Sequence, residues 1–272
     1  MVEIVGKIGS MALIDREHRA VARDKFARIG KWLKPGTIWV SSGAVEIGRL
    51  DYINRHGKEL DCCKEDAKTD YSSQGQATLM ELYRKHIDPK YSIRQILVEH
   101  SHFNDKAKAA HIKNLLLRAT EQNAIPIVNY NDAVSLEESR KLEIQSLINS
   151  TGGAVELVDN DETASQIACM VKAKTLLILS TLEGIYADIT DSKSLIREVS
   201  GKSFSDVAKK LDELKKNCSG ASRQGANGAK AKLEYIKPCI KQGMRVVIAS
   251  AKYDIGDILS GNAPSTMIYT SK

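Results

Sequence analysis

The sequence predicts an α/β fold. Short apolar runs rich in β-branched residues alternate along the chain with longer segments in which apolar residues recur at helical spacing. Several of the short runs end in loops rich in glycine, hydroxyl or amide side chains, as is typical of the edge where an open parallel sheet binds ligands. With 272 residues, 42% of them hydrophobic, the chain is long enough to bury a full core.

The first predicted strand covers Val2 to Val5 and ends in the turn Gly6-Lys7-Ile8-Gly9-Ser10. Glycines allow the backbone of such a turn to approach a ligand closely. Lys7 is therefore a candidate phosphate ligand at the carboxyl edge of the sheet. The alternative is a solvated lysine in a surface turn.

A helix is predicted from Ala20 to Leu33, and a second strand from Thr37 to Val40 ends in Ser41-Ser42-Gly43-Ala44-Val45. Small hydroxyl residues and a glycine again follow a strand. In such a loop, backbone N–H groups and hydroxyls can face an anion, so the two loops together indicate a binding site for an anionic ligand.

The middle of the chain continues the alternation. Its predicted elements are a polar surface excursion, a helix, a strand and a helix, at residues 51–69, 71–86, 93–98 and 106–122. His100, His102 and His111 do not have the spacing of a compact metal-binding motif, so we assign no metal ligands.

A fourth strand, Ile125 to Val128, is followed by Asn129-Tyr130-Asn131-Asp132-Ala133-Val134. Amides and a carboxylate in a strand-end loop can hold both the ammonium and the carboxylate of a zwitterionic substrate. A structural Asx-turn is the alternative for this loop.

Asp159-Asn160-Asp161 opens a predicted helix, and the strand Thr175 to Leu179 follows it. A helix N-terminus favours one such carboxylate as a cap. The second is unexplained by capping, and two nearby anions are costly unless cations accompany them. The sequence therefore predicts lysines or a bound metal close to this turn.

The last third of the chain carries one further glycine-rich turn, Gly225-Ala226-Asn227-Gly228-Ala229. It opens a helix to about Lys241, with Lys230 and Lys232 in its first turns. Free N–H groups, the helix dipole and the ammonium charges together suit phosphate binding. Neither GxxxxGK[ST] nor GxGxxG is present, which disfavours the common nucleotide folds. The other predicted elements are a hairpin, a helix and two closing strands, at residues 184–199, 205–216, 244–250 and 267–270.

Composition excludes several other classes. The net charge of +6 comes from scattered lysines and arginines, so we expect no nucleic-acid partner, whereas a small anionic substrate suits it. The five cysteines have no metal-ligand spacing, which favours reduced thiols in a cytoplasmic protein. We find no apolar run of membrane-spanning length and no signal peptide.

Several of these motifs together resemble the amino acid kinases, and within them the glutamate 5-kinases. The loop after the fourth strand is similar to the family's NENDAV, Asp159-Asn160-Asp161 to its DND, and Glu183-Gly184-Ile185-Tyr186 to its EGLY. Lys232-Leu233 resembles the end of its TKL, and the first two strand-end loops also match. The matches keep the family's order over nearly the whole chain.

The resemblance implies a three-layer α/β/α sandwich around a mainly parallel sheet in one domain, 1–272. The acceptor is expected in a lobe of about residues 1–155 and ATP with Mg²⁺ in a lobe of about residues 156–272. It further implies homo-oligomers, proline biosynthesis and handover to a glutamyl phosphate reductase. The PUA domain that some members append is expected to have no room after the last strand.

The resemblance also assigns roles to residues. Lys7 and Lys232 are implied to contact the transferred phosphoryl group, and Asp161 to organise them. The residues implied to bind the acceptor are Ser42, Gly43, Asn129, Asp132 and Asn160. Those implied to bind ATP are Lys7, Gly9, Ser180, Thr181, Gly184, Tyr186, Gly225, Gly228 and Lys232.

The chain departs from the family pattern at four places. Tyr130 stands where the family has Glu, Thr181 where members often have Asp, and residues 225–229 replace GTGGM. The connection 135–158 is also longer. Phosphoryl transfer is therefore better supported than glutamate as the acceptor. The alternatives are a kinase of the same fold for another small acid or phosphate acceptor, and a non-catalytic protein that binds nucleotide or amino acid.

Overall fold

The structure, a computed structural model, describes residues 2–217 and 228–271. Its elements alternate as the hydrophobic pattern predicts. The strands are β1 (Ile4–Ile8), β2 (Ile14–Asp15), β3 (Ala20–Val21), β4 (Thr37–Ser41), β5 (Ser92–Val98), β6 (Ala124–Tyr130), β7 (Thr175–Ser180), β8 (Ile185–Tyr186), β9 (Leu195–Ile196), β10 (Glu198–Gly201), β11 (Arg245–Ser250) and β12 (Ser265–Thr270). The helices are α1 (Arg23–Trp32), α2 (Ala44–His56), α3 (Lys64–His86), α4 (Ser101–Asn104), α5 (Lys106–Glu121), α6 (Glu137–Thr151), α7 (Asn160–Val171), α8 (Phe204–Asn217), α9 (Gly228–Tyr235), α10 (Lys237–Lys241) and α11 (Ile255–Ser260).

Within the described ranges, eight strands form one sheet in the order β10-β12-β11-β7-β1-β4-β6-β5. The six strands from β11 to β5 are parallel to one another, while β12 is antiparallel to β11 and β10 runs with β12. The sheet is therefore mainly parallel, as predicted. The carboxyl ends of β7, β1, β4 and β6 meet side by side at one edge, which is where such sheets bind ligands.

Each face of the sheet is covered by its own apolar core. Leu176 and Ile178 of β7 pack into the core shared with α5, α7, α8, α9 and α10. Leu177 and Leu179 pack into the opposite core, with α1, α2, α3 and α11. Successive side chains of a strand point to opposite faces, so an unbroken apolar strand requires helices on both sides. The fold is a three-layer α/β/α sandwich.

Several of the predicted element boundaries are wrong. The helix predicted from residue 71 already begins at Lys64, the helix predicted to about Lys241 is divided into α9 and α10, and α2 is not predicted by the sequence. β1 continues through Ile8, so Lys7 lies within the strand rather than in a turn, and a short 3₁₀ helix follows at Ser10–Ala12. The predicted helix from Ala20 begins only at Arg23, because Ala20 and Val21 pair with β2 in a small ribbon. The hairpin of β8 and β9 forms as predicted.

The long connection between β6 and α7 contains a helix, α6, that the sequence did not reveal. Its apolar side chains are spread around the axis: Ile144 is buried whereas Leu142 is exposed. A helix without a single apolar face gives no clear periodic signal.

Glycine sets the distance between α2 and α3. A side chain at Gly75 would overlap the carbonyl oxygen of Ala44, and one at Gly48 would overlap that of Tyr71. The two helices therefore cross with their backbones in contact. This crossing holds α3 beside the loop that follows β4.

Candidate active site

A cavity of about 1630 Å³ opens at the carboxyl edge of the sheet. It is lined by every predicted site residue that the structure describes: Lys7, Gly9, Ser42, Gly43, Asn129, Asp132, Asn160, Asp161, Ser180, Thr181, Gly184, Tyr186, Gly228 and Lys232. Gly225, the remaining predicted ATP-binding residue, lies outside the described residues. Segments far apart in sequence thus surround one space.

The centre of the cavity holds one carboxylate between two lysines. The Asp161 Oδ1 atom lies 2.7 Å from Lys7 Nζ, and its Oδ2 atom lies 3.8 Å from Lys232 Nζ. Burial alone would raise the pKa of Asp161, but the ammonium groups of Lys232 and Lys7 outweigh burial and hold that pKa below its usual value. Asp161 therefore stays ionised and keeps both ammonium groups aimed into the cavity.

The neighbouring carboxylate, Asp159, has a different task. Its Oδ1 accepts hydrogen bonds from the backbone N–H groups of Asp161 and Glu162, at 2.8 and 3.1 Å, and so caps α7. Burial, and then the charge of Asp161, raise the pKa of Asp159. The two aspartates of the turn thus divide between capping and holding cations, which accounts for the second carboxylate.

A directional chain of amides runs beside the charged centre. The Tyr130 N–H can only donate, and it donates to Asn129 Oδ1 at 2.9 Å. Asn129 Nδ2 must then face Gln76 Oε1, at 2.9 Å. Asn160 Nδ2 donates to Asn129 Oδ1 at 2.9 Å and to Ser42 Oγ at 3.0 Å. Ser42 is thereby an acceptor in this chain, which leaves its own hydroxyl hydrogen to face the cavity.

Sequence reasoning missed two residues near the acceptor loop. Gln76 lies in the helix predicted at residues 71–86, and the amide-rich Gln74-Gly75-Gln76 is the signal that could have pointed to a polar contact. Lys68 lay in the segment interpreted as a surface excursion, and its Nζ lies 2.8 Å from Asp132 Oδ1. Nothing in the local spacing pointed to that ion pair.

The glycines that line the cavity differ in their contacts and conformation. The Gly9 N–H donates to the Leu179 carbonyl oxygen at 3.1 Å, so this N–H group is occupied within the protein. Gly184 fits closely, because a side chain there would overlap Thr266. Gly43 and Gly228 have φ angles of 109° and 67°, a region that favours glycine.

Comparison with known proteins identifies the family. The family model described as the amino acid kinase family matches residues 3–250. The chain belongs to the amino acid kinase family.

Similar members of the amino acid kinase family include curated glutamate 5-kinases. The one from Dictyoglomus thermophilum is 26% identical over 94% of this chain and 63% of its own length. The one from Clostridium perfringens is 29% identical over 86% of this chain and 81% of its own length. The chain thus spans less than two thirds of the first of these relatives.

Solved structures show the same fold at low identity. Carbamate kinase from Giardia lamblia bound to AMP-PNP has a TM-score of 0.60 at 12% identity, covering 98% of both chains. UMP kinase from Bacillus anthracis has a TM-score of 0.54 at 11% identity, covering 98% of this chain and 96% of its own. The amino acid kinase sandwich is therefore shared across different named acceptors.

Two kinds of feature are absent from the described ranges: a metal-binding cluster and a membrane-spanning helix. No three His, Cys, Asp or Glu side chains are grouped there so as to hold a metal ion. None of the described helices combines the length and apolar character needed to cross a membrane.

Proposed function

We propose that this protein transfers the γ-phosphoryl group of ATP to the γ-carboxylate of L-glutamate, giving glutamyl 5-phosphate. The observation that carries the proposal is the set Lys7, Asp161 and Lys232 at the carboxyl edge of the sheet. The names of the curated relatives supply the acceptor. Proline biosynthesis, with a reductase that takes over the labile acyl phosphate, belongs to the same proposal.

The proposed reaction needs no strong general base. A carboxylate acceptor is already ionised at neutral pH, so its oxygen attacks the γ-phosphorus directly while the bond to the β–γ bridging oxygen breaks and ADP leaves with the electron pair. Lys7 and Lys232 stabilise the negative charge on the transferred group. Asp161 holds the two ammonium groups in position and itself takes no proton.

The two substrates occupy opposite parts of the cavity. Glutamate lies against the loops after β4 and β6, where Ser42, Asn129, Asp132 and Asn160 face it. ATP lies between the loop after β7 and the start of α9, and the division into two lobes near residue 155 follows from this arrangement. Magnesium arrives as the MgATP complex, because it is usually bound through substrate phosphates and water rather than in a protein cage.

ADP release in the presence of MgATP tests the transfer. We expect ADP only when an acceptor is present, because Lys7 and Lys232 act on the transferred group and Asp161, which they hold ionised, takes no proton from water. ADP formation at one rate with and without every amino acid tested would refute the kinase proposal.

Trapping with hydroxylamine tests the acceptor. It converts an acyl phosphate to a hydroxamate, and we expect hydroxamate from glutamate. Hydroxamate from aspartate or N-acetylglutamate, with none from glutamate, would keep the kinase and overturn its substrate.

A further inference from the structure

An ion pair outside the phosphoryl-transfer centre forms part of the cavity wall. Lys68 of α3 and Asp132, in the loop after β6, both line the cavity, and their Nζ and Oδ1 atoms are 2.8 Å apart. The side chain of Lys68 is 51% exposed and that of Asp132 is 19% exposed. Both charges can therefore be reached by a ligand within the cavity.

Two neighbouring cations of the cavity wall, Arg140 and Lys141 of α6, make contacts with groups other than Asp132. Lys141 pairs with Glu137 at 2.7 Å along α6. Arg140 donates to the carbonyl oxygens of Glu156 and Leu157 at 3.1 and 3.4 Å, which fastens α6 to the segment before α7. The contacts of Arg140 hold α6 in place as one side of the cavity.

The backbone N–H of Glu137 donates to Glu65 at 3.0 Å, which places the start of α6 against the helix that carries Lys68. Lys68 is thus carried by a helix rather than by a loop, and one hydrogen bond joins that helix to the start of α6. Its ammonium group stands next to a carboxylate from a third segment.

An α-amino acid carries an ammonium and a carboxylate on the same carbon atom. A site that recognises both charges needs an anion and a cation side by side, as Asp132 and Lys68 are. When such a zwitterion binds, the protein's own ion pair opens and each member takes one charge of the ligand. No unpaired charge is then buried, which avoids the large cost of an isolated ion.

We propose that Lys68 is a specificity-determining residue that binds the α-carboxylate of the acceptor while Asp132 binds its α-ammonium group. The substrate class is then the free α-amino acids, with neither end of the zwitterion masked. This inference rests on the proposed glutamate kinase activity.

Two truncated analogues of glutamate separate the two contacts. Glutarate lacks the ammonium group, and 4-aminobutyrate lacks the α-carboxylate. Each is measured as an inhibitor competing with glutamate, and by calorimetry for direct binding. We expect Lys68→Met to raise the KM for glutamate about 10- to 100-fold with kcat within about twofold, because a hydrogen bond to a charged group is lost.

The analogue pattern is the decisive readout. Lys68→Met should weaken the binding of glutarate by a similar factor and leave the binding of 4-aminobutyrate unchanged. Asp132→Asn should weaken the binding of 4-aminobutyrate and leave the binding of glutarate unchanged. Lys68→Arg, which keeps the cation, should restore much of the affinity for glutamate. If Lys68 only supported the fold, its substitution would weaken the binding of both analogues equally.

Lys64 supplies the matched control. It lies one helical turn earlier on α3 and lines the same cavity, so Lys64→Met removes the same charge from the same helix. We expect the KM for glutamate to stay within about twofold of that of the unmodified protein, since loss of an exposed charge alone is a small effect.

Two results would overturn the assignment of Lys68: an unchanged KM in Lys68→Met, or equal weakening of both analogues. Absence of glutamate phosphorylation in the unmodified protein would instead count against the proposed function. Calorimetry of glutamate and its analogues still tests the contacts of Lys68 in that case, because it needs no turnover.

Discussion

The two aspartates of the turn before α7 should respond oppositely to the same substitution. Asp161→Asn keeps the shape of the side chain but leaves the ammonium groups of Lys7 and Lys232 without their anion. Removing one partner of a buried ion pair costs about 3–5 kcal/mol. The Lys232 side chain is 19% exposed and can recover some hydration, so we expect the free energy of unfolding at pH 7 to fall by about 3 kcal/mol.

Asp159→Asn should stabilise the protein instead. Asparagine accepts the same hydrogen bonds from the backbone N–H groups at the start of α7 and caps a helix as well as aspartate does. The substitution also removes a carboxylate whose pKa is raised by burial and by the charge of Asp161. The cap is kept and an unfavourable buried charge is lost.

The pH dependence of the two effects follows from the direction of each pKa shift. The pKa of Asp161 is lowered on folding, so its stabilisation is complete above the unfolded pKa of about 3.9 and is lost as the pH falls through the folded value. The pKa of Asp159 is raised, so its cost develops as the pH rises through the unfolded value and then the folded value. The two variants should therefore differ most near neutral pH and converge in acid.

Urea unfolding followed by tryptophan fluorescence measures both variants at a series of pH values from 8 to about 2, because the contribution of Asp161 is lost only below its unfolded pKa. Trp39 is fully buried and reports on the core. Asp61→Asn, at an exposed aspartate before α3, is the control and should change nothing. The reasoning is refuted if Asp161→Asn and Asp159→Asn shift the unfolding midpoint in the same direction, or if their difference is the same at every pH.

Three further predictions concern the site and the fold. Lys7→Ala and Lys232→Ala should each lower kcat by about 10²–10³-fold, because each removes a cation from the negative charge that develops on the transferred phosphoryl group. The circular dichroism spectrum should stay unchanged. Near-normal turnover in Lys232→Ala would place the reaction elsewhere. Tyr83→Phe should cost about 1–3 kcal/mol in urea unfolding, because the buried Trp39 Nε1–H, now 2.8 Å from the Tyr83 hydroxyl, loses its acceptor; an unchanged midpoint would contradict this. Gly75→Ala should cost about 3 kcal/mol, since its methyl group would overlap the backbone of α2. Thermal unfolding measures this, and the control is Gly256→Ala, at an exposed helical glycine where a methyl group meets no neighbouring atom, which should show no such loss.

The sequence by itself determined much of the architecture. Hydrophobic pattern acts over a few neighbouring residues, and it was enough to place most strands of the main sheet and helices α1, α5, α7 and α8 to within a few residues, whereas α2 and α6 were not predicted. Turn chemistry is equally local: the Asp159 cap and the glycine at position 43 follow from residue type and position alone. These signals predicted which loops face the ligand edge.

Other features depended on which distant segments become neighbours. Because β7 pairs with β1, Lys7 lies beside the turn that carries Asp161. The ion pair between Lys68 and Asp132 arises in the same way, when α3 packs beside the loop after β6. The spacing of Asp159 and Asp161 indicated that cations would lie nearby but not which ones, and nothing in local spacing indicated the pair of Lys68 and Asp132.

The helix α6 was hidden for a related reason. Its apolar side chains contact the cavity on one side and lie exposed on others, so they do not form a single stripe. Local sequence therefore determined most strands, several helices and the Asp159 cap, while the packing of these elements decided which charges meet. An ion pair needs two groups within a few ångströms, and only the tertiary fold brings residues so far apart in sequence to that distance.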